Sequence, residues 1–132
     1  MSSFKFSRID HVNVTTPEEL IDDVCRWYET VLGLERTPKP DDVTIGGGWF
    51  RAGDQEIHIS IDPHNPPRTA HYGLVVDDMD AVVRALRAAG CHIEQARSIP
   101  GRHRFYTRDP AGNRIEVTSI EEQPAVVQRE ET

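Results

Sequence analysis

HYGLVVDDMDAVVRALRAAG, residues 71–90, is the stretch that decides the fold. In His71 to Val76 the residues Tyr72, Leu74 and Val76 alternate with their neighbours, the period of a strand with one buried face. Asp78 suits a helix N-cap, Met79, Val82, Val83 and Leu86 form a buried stripe at helical spacing, and Gly90 supplies the stop. The same order occurs upstream. Ile9 to Thr15, IDHVNVT, reads as a strand. Thr16 is expected to cap a helix, with Pro17 at its first position and Glu19 completing a capping box. Leu20, Val24, Trp27 and Val31, widened by Ile21, Tyr28 and Leu32, make its apolar stripe, and Gly33 ends it.

Three short strands are expected after each helix. In the first copy they fall near Val43 to Ile45, Trp49 to Ala52 and Glu56 to Ile61, with turns at Gly46–Gly48 and Gly53-Asp54. In the second they fall near Ile93 to Arg97, Arg102 to Thr107 and Asn113 to Ser119, the last preceded by the turn-forming Asp109-Pro110-Ala111-Gly112. His11 and His71 stand 60 residues apart, and His58 and Glu116 stand 58 apart. The chain therefore reads as one strand–helix–three-strand unit written twice, an α+β fold with its helices on one face of the sheet. The expected organisation is a first module and its Pro-rich connector over 1–68, a second module over 69–120, and a polar tail over 121–132, mobile or lying on a partner surface, within a single structural domain.

Strand phase assigns the polar residues to a face. Val12 and Val14 leave His11 and Asn13 opposite. Ile57, Ile59 and Ile61 leave Glu56, His58 and Ser60 opposite. Tyr72, Leu74 and Val76 do the same for His71, and Ile115 and Val117 for Arg114, Glu116 and Thr118. Four strands thus put His11, His58, His71 and Glu116 on the face away from the helices. Neutral imidazoles with one carboxylate are a ligand set for Zn, Fe, Mn, Ni or Co. Two histidines and a carboxylate leave open positions where a substrate can chelate, and the cation then stabilises an oxyanion or enolate as it forms. Glu56 shares this face and is expected to be solvent-exposed near the strand's edge.

The rest of the sequence narrows the classes. Net charge is −7 over 132 residues, and the Lys and Arg residues are scattered, which disfavours nucleic-acid binding. No apolar run approaches the roughly 20 residues of a membrane helix. Met1 to Arg8 lacks the apolar stretch of a signal peptide, so a cytoplasmic location is expected. Cys25 and Cys91 form no CxxC pair and read as reduced thiols. The glycines at 46–48 are not followed by Lys-Ser or Lys-Thr, so they make a turn rather than a phosphate loop. His64, His92 and His103 lack phase support and read as surface histidines.

IDHVNVTT, WYETVLGLE, GGGWFRAG, HYGLVVDDMDAVVRALRAAG and above all PGRHRFYTRDPAGNRIEVTS resemble the vicinal-oxygen-chelate superfamily, which includes glyoxalases, bleomycin-resistance proteins and extradiol dioxygenases. The resemblance covers about Phe6 to Ile120. It implies paired βαβββ modules whose sheets curl into a cup around one divalent metal (Zn, Ni, Co, Mn or Fe), with His11, His71 and Glu116 at the family's ligand positions. His58 stands where glyoxalases usually carry a glutamate that binds metal and moves protons, so it is a candidate fourth ligand or the acid/base. On the cup face Trp49, Arg51, Arg104 and Tyr106 are candidate substrate-binding residues, the arginines for a carboxylate or phosphate. The implied activity is that of a metal-dependent lyase or isomerase on a small oxygenated substrate. The alternatives are an iron-dependent extradiol-type dioxygenase and a metal-free protein that sequesters an antibiotic or aromatic ligand. Relatives often build each cup from two chains, so a homodimer is expected.

Overall fold

The computed structural model describes residues 3–5, 8–40, 47–64 and 69–120. The chain divides into two compact units. The first contains β1 (His11–Thr16), α1 (Ile21–Thr30), β2 (Glu35–Thr37), β3 (Gly48–Ala52) and β4 (Gln55–Ile61). The second contains β5 (His71–Val75), α2 (Met79–Ala88), β6 (Glu94–Gln95), β7 (Arg102–Arg108) and β8 (Arg114–Ile120). Each unit is a four-stranded mixed sheet, ordered β1-β4-β3-β2 in the first and β5-β8-β7-β6 in the second. The parallel pairs are β1 with β4 and β5 with β8; the other neighbours are antiparallel. This is the α+β class expected from the doubled strand–helix pattern. No helix among the described residues is long and apolar enough to cross a membrane.

In the first unit the core forms where the alternating aliphatics of β4 meet the stripe of α1. Val24, Cys25, Trp27 and Tyr28 are buried on the helix, Phe50 on β3, and Ile57 and Ile59 on β4. Tyr28 stacks on Phe50 with ring centroids 5.9 Å apart. Each of Val24, Phe50, Ile57 and Ile59 contributes about 1.5–3 kcal/mol by its burial. In the second unit the buried residues are Leu86 of α2, Phe105 of β7, and Ile115 and Val117 of β8. Cys25 and Cys91 form no disulfide, and burial pushes the Cys25 thiol above its usual value.

The helix ends differ in how legible they were. Asp78 caps α2 as expected, its carboxylate accepting from the Ala81 backbone N–H at 3.0 Å. The Thr16 capping box does not form. Thr16 is the last residue of β1, fully buried and paired with Ile61, and its hydroxyl donates to the Pro17 carbonyl. Pro17 is extended rather than helical, a short 3-10 turn spans Glu18–Leu20, and α1 starts at Ile21 without a side-chain cap. Downstream, Gly33 takes φ +68° and lets the Leu34 N–H reach back to the Tyr28 carbonyl, closing α1 as predicted.

Two further differences concern strands. The strand expected at Val43 to Ile45 lies outside the described residues, as do Gly46, the 65–68 part of the connector and the 121–132 tail. The edge position beside β3 is taken instead by Glu35–Thr37, a three-residue strand with no apolar alternation to announce it. The strand expected at Ile93 to Arg97 is reduced to Glu94–Gln95. Short, charged edge strands of this kind discourage pairing with other chains.

The Asp109–Asn113 turn, which joins β7 to β8, belongs to the first unit. Asp109 is 4% exposed and its carboxylate accepts four hydrogen bonds. Oδ1 takes the backbone N–H groups of Ala111 and Asn113, each at 2.9 Å. Oδ2 takes the Tyr28 hydroxyl and the Asn113 side-chain amide, each at 2.8 Å. The same amide donates to the Thr15 carbonyl at 2.9 Å. The turn is thereby tied to both α1 and β1. Burial nevertheless raises the Asp109 pKa above its usual value, against the pull of the bonds from Asn113 and Tyr28.

Candidate functional site

In the first unit, the expected phase is observed. Parallel pairing sets His11 beside Glu56, Asn13 beside His58 and Thr15 beside Ser60, while β3 sets Trp49 beside His58 and Arg51 beside Glu56. All of these belong to the face opposite Ile57 and Ile59. Three rings stack there. His58 lies between Trp49, at 4.0 Å and 6° between planes, and His11, at 4.1 Å and 18°. His58 is 9% exposed. Arg51 is exposed, and its charge contributes a minor part of the lowering of the Glu56 pKa.

Each histidine of the stack has its own carboxylate. The Nδ1–H of His11 donates to Asp10 Oδ2 at 3.0 Å. The Nε2–H of His58 donates to Glu56 Oε1 at 2.8 Å. These bonds hold the Asp10 and Glu56 carboxyls below their usual values, with smaller contributions from Arg8 at Asp10 and from the His58 charge at Glu56. In a neutral imidazole one nitrogen donates and the other accepts. Nε2 of His11 and Nδ1 of His58 are therefore the nitrogens that carry lone pairs.

In the second unit, β5 and β7 flank β8, so Gly73 and Tyr106 both pair with Glu116, and His71 and Arg104 lie at neighbouring positions of the same face. His71 Nε2 is 3.2 Å from Glu116 Oε1, and Arg104 Nη1 is 3.6 Å from the same oxygen. Arg104 also donates from Nη1 to the Tyr106 hydroxyl at 3.0 Å and from Nη2 to the Arg97 carbonyl at 2.8 Å. His71 meets the Tyr106 ring edge-on at 5.1 Å, and the Arg114 guanidinium lies 3.6 Å over that ring. Glycine at 73 leaves the space above β5 free of a side chain beside Glu116.

The donor sets can be compared with what a metal requires. Two ligand atoms about 2.1 Å from one ion at right-angled to tetrahedral geometry are about 3.0–3.4 Å apart. His71 Nε2 and Glu116 Oε1, at 3.2 Å, have that separation. His11 has the other expected feature: ligating histidines generally give their second N–H to a carboxylate, as Nδ1 here gives to Asp10. His58 fits less well. Its Nε2 is taken by Glu56, and lone pairs lie in the ring plane, so two nearly parallel stacked imidazoles cannot aim at one ion. Among the described residues, no three His, Cys, Asp or Glu side chains form a ready-made ligand cluster.

Sequence reasoning placed His11, His58, Trp49, Arg51 and Glu56 on one face of the first sheet, and His71, Arg104, Tyr106 and Glu116 on one face of the second. It did not find Asp10 or Arg114 as contributors, and it expected Glu56 in solvent rather than on His58. The available signal was the proximity of acid to histidine, Asp10-His11 and Glu56-Ile57-His58.

Comparison with known proteins places this architecture. The model of the Glyoxalase/Bleomycin resistance protein/Dioxygenase superfamily matches residues 8–117, and the chain belongs to that superfamily. A solved protein of Bacillus anthracis assigned to the glyoxalase family is 35% identical with a TM-score of 0.81, covering 90% of this chain and 99% of that one. Lactoylglutathione lyase from Agrobacterium tumefaciens is 24% identical with a TM-score of 0.67 over 86% and 93% of the two chains. TnmS3, an antibiotic binding protein from a Streptomyces species, is 18% identical with a TM-score of 0.72 over 89% and 98%. The last two likenesses are of fold. No curated protein sequence matches the chain significantly.

Proposed function

We propose that the chain is a metal-dependent lyase or isomerase of the glyoxalase type, acting on a small oxygenated substrate in the cytoplasm. His11, His71 and Glu116 would hold one divalent ion (Zn, Ni, Co, Mn or Fe), which when bound supplies Lewis-acid polarisation of neighbouring substrate oxygens. His58 is the acid/base rather than a fourth ligand. The observation that carries this reading is the His58–Glu56 bond within the Trp49–His58–His11 stack.

Glu56 fixes the tautomer of His58 and leaves Nδ1 to take a proton from substrate carbon; the resulting imidazolium is stabilised by the same carboxylate. Trp49 covers one face of the His58 ring and keeps water from it. Arg104 and Tyr106, bonded to one another, would orient an anionic or carbonyl oxygen of the substrate. Arg51, exposed on the same face as Glu56, would supply a further cationic contact.

The expected assembly is a homodimer, which light scattering at micromolar concentration tests directly; a monomer there contradicts it. Stoichiometric metal in purified protein, together with exchange of an acidic substrate C–H for deuterium that His58→Ala abolishes, supports the reaction class. Oxygen consumption with catechols would replace it by dioxygenase chemistry. A second reading, sequestration of a flat aromatic or antibiotic ligand without metal, is favoured by the three-ring stack itself. Tight aromatic binding unchanged by chelators would establish it in place of the first.

A further inference from the structure

We propose that the second unit carries a binding cavity for a small organic phosphate, bounded by α2, β6 and the chain leading into β7. The cavity has a volume of about 290 Å³. An apolar cavity of about 150 Å³ accepts a benzene molecule, so this one has room for a flat ring with a charged headgroup.

Its two sides differ chemically. Met79 and Val83, one turn apart on α2, join Ile93 and Phe105 to make an apolar wall. Arg87, Arg97, Arg102 and Arg104 line the cavity, the last with its guanidinium bonded to Tyr106 and to the Arg97 carbonyl, and no Asp or Glu does. In a chain of net charge −7 this local excess of cations is against the trend of the whole molecule. Among the described residues the guanidinium groups of Arg87, Arg97 and Arg102 make no ion pair or hydrogen bond. Arg104 is only 11% exposed, and its Nε is buried without a hydrogen-bond partner. Guanidinium forks match the oxygens of a phosphate monoester, whose double charge suits several such groups better than a single carboxylate does. The apolar wall selects for an organic body over inorganic phosphate.

Neither His71 nor Glu116 lines this cavity, and Arg104, which lies 3.6 Å from Glu116, is the one residue it shares with the site proposed above. The test is a calorimetric titration of the full chain with phenyl phosphate, inorganic phosphate and benzyl alcohol as probes. Phenyl phosphate is expected to bind saturably, at least tenfold more tightly than inorganic phosphate, with benzyl alcohol giving no saturable signal. Arg97→Ala/Arg102→Ala should weaken phenyl phosphate by tenfold or more, Arg97→Lys/Arg102→Lys by less, with unchanged thermal unfolding showing that the variants are folded. His71→Ala, which keeps the Arg104–Glu116 contact, should leave this binding intact. Equal binding of benzyl alcohol, full binding by the arginine-to-alanine variant, or loss of binding in the His71→Ala variant would each overturn the proposal. The last result would assign the phosphate to the residues proposed to hold metal.

Discussion

In the first half of the chain two imidazoles lie face to face and each has a carboxylate of its own, whereas in the second one imidazole and one guanidinium share Glu116. The strand orders are the same, and the four residues occupy corresponding places at the starts and ends of their modules. Repetition of the fold thus sets which face of the sheet a side chain joins. The neighbours on that face decide what it can do. Trp49 and His11 clamp His58 as a flat stack, and Glu56 takes its Nε2–H, whereas His71 meets Tyr106 edge-on beside a carboxylate. A pinned, tautomer-fixed imidazole suits proton transfer, and a His–Glu pair at ligand spacing suits a metal.

The largest effect should come from removing the pinned ring. His58→Ala is expected to lower turnover by about 10²–10⁴-fold, the usual contribution of a positioned acid or base. Steady-state kinetics with metal-replete protein would check it, and a variant within threefold of the parent would remove the functional contrast between the halves.

Next comes the turn from the second half of the sequence that folds into the first unit. Asp109→Ala leaves the Tyr28 hydroxyl, the Asn113 amide and two backbone N–H groups without their acceptor, and should cost about 3 kcal/mol of stability in denaturant titration. Tyr28→Phe removes one of those donors and should cost about 1 kcal/mol. If both variants unfold at the parent's midpoint, the turn does not anchor the first unit.

Glu56→Gln is expected to reduce turnover about 10–100-fold while leaving metal content near that of the parent, as for other groups that orient a functional histidine. The amide can still accept a hydrogen bond, so geometry persists while stabilisation of the imidazolium is lost. A drop in metal content equal to the drop in turnover would instead make Glu56 part of the metal's environment.

The smallest effect concerns pH. His58 holds the Glu56 carboxyl below its usual value, so the pair's contribution is complete above the ordinary glutamate pKa and is lost as pH falls through the lowered one. Asp109 has the opposite sign. Its pKa is raised by burial, so the penalty for its ionised form is relieved as pH falls through the raised value toward the ordinary aspartate one. Thermal unfolding from neutral to acidic pH should therefore fall less steeply in Glu56→Gln and more steeply in Asp109→Asn. Identical slopes in all three proteins would contradict both assignments.

Much of this was legible in the sequence because strands with one aliphatic face write their phase plainly. Ile57 and Ile59, or Ile115 and Val117, leave no choice about where His58 and Glu116 must go. Asp78 was readable because a strand cannot use its side chain there and a helix N-terminus can. Thr16 misled for the converse reason: threonine serves equally well as a cap and as a buried strand residue, and pairing with Ile61 prevailed. Glu35–Thr37 gave no periodic signal because a short edge strand is held by its neighbour's backbone. The surroundings of His58 were not legible. Stacking on Trp49 and the bond to Glu56 depend on side-chain torsions that residue spacing does not record.

Metal content measured on otherwise identical preparations of the His11→Ala and His58→Ala variants tests the division of labour most directly. The ring geometry predicts that His58→Ala retains about one ion per chain while His11→Ala loses it. Retention by the His11 variant with loss from the His58 variant would contradict it and make His58 the ligand that the first half supplies.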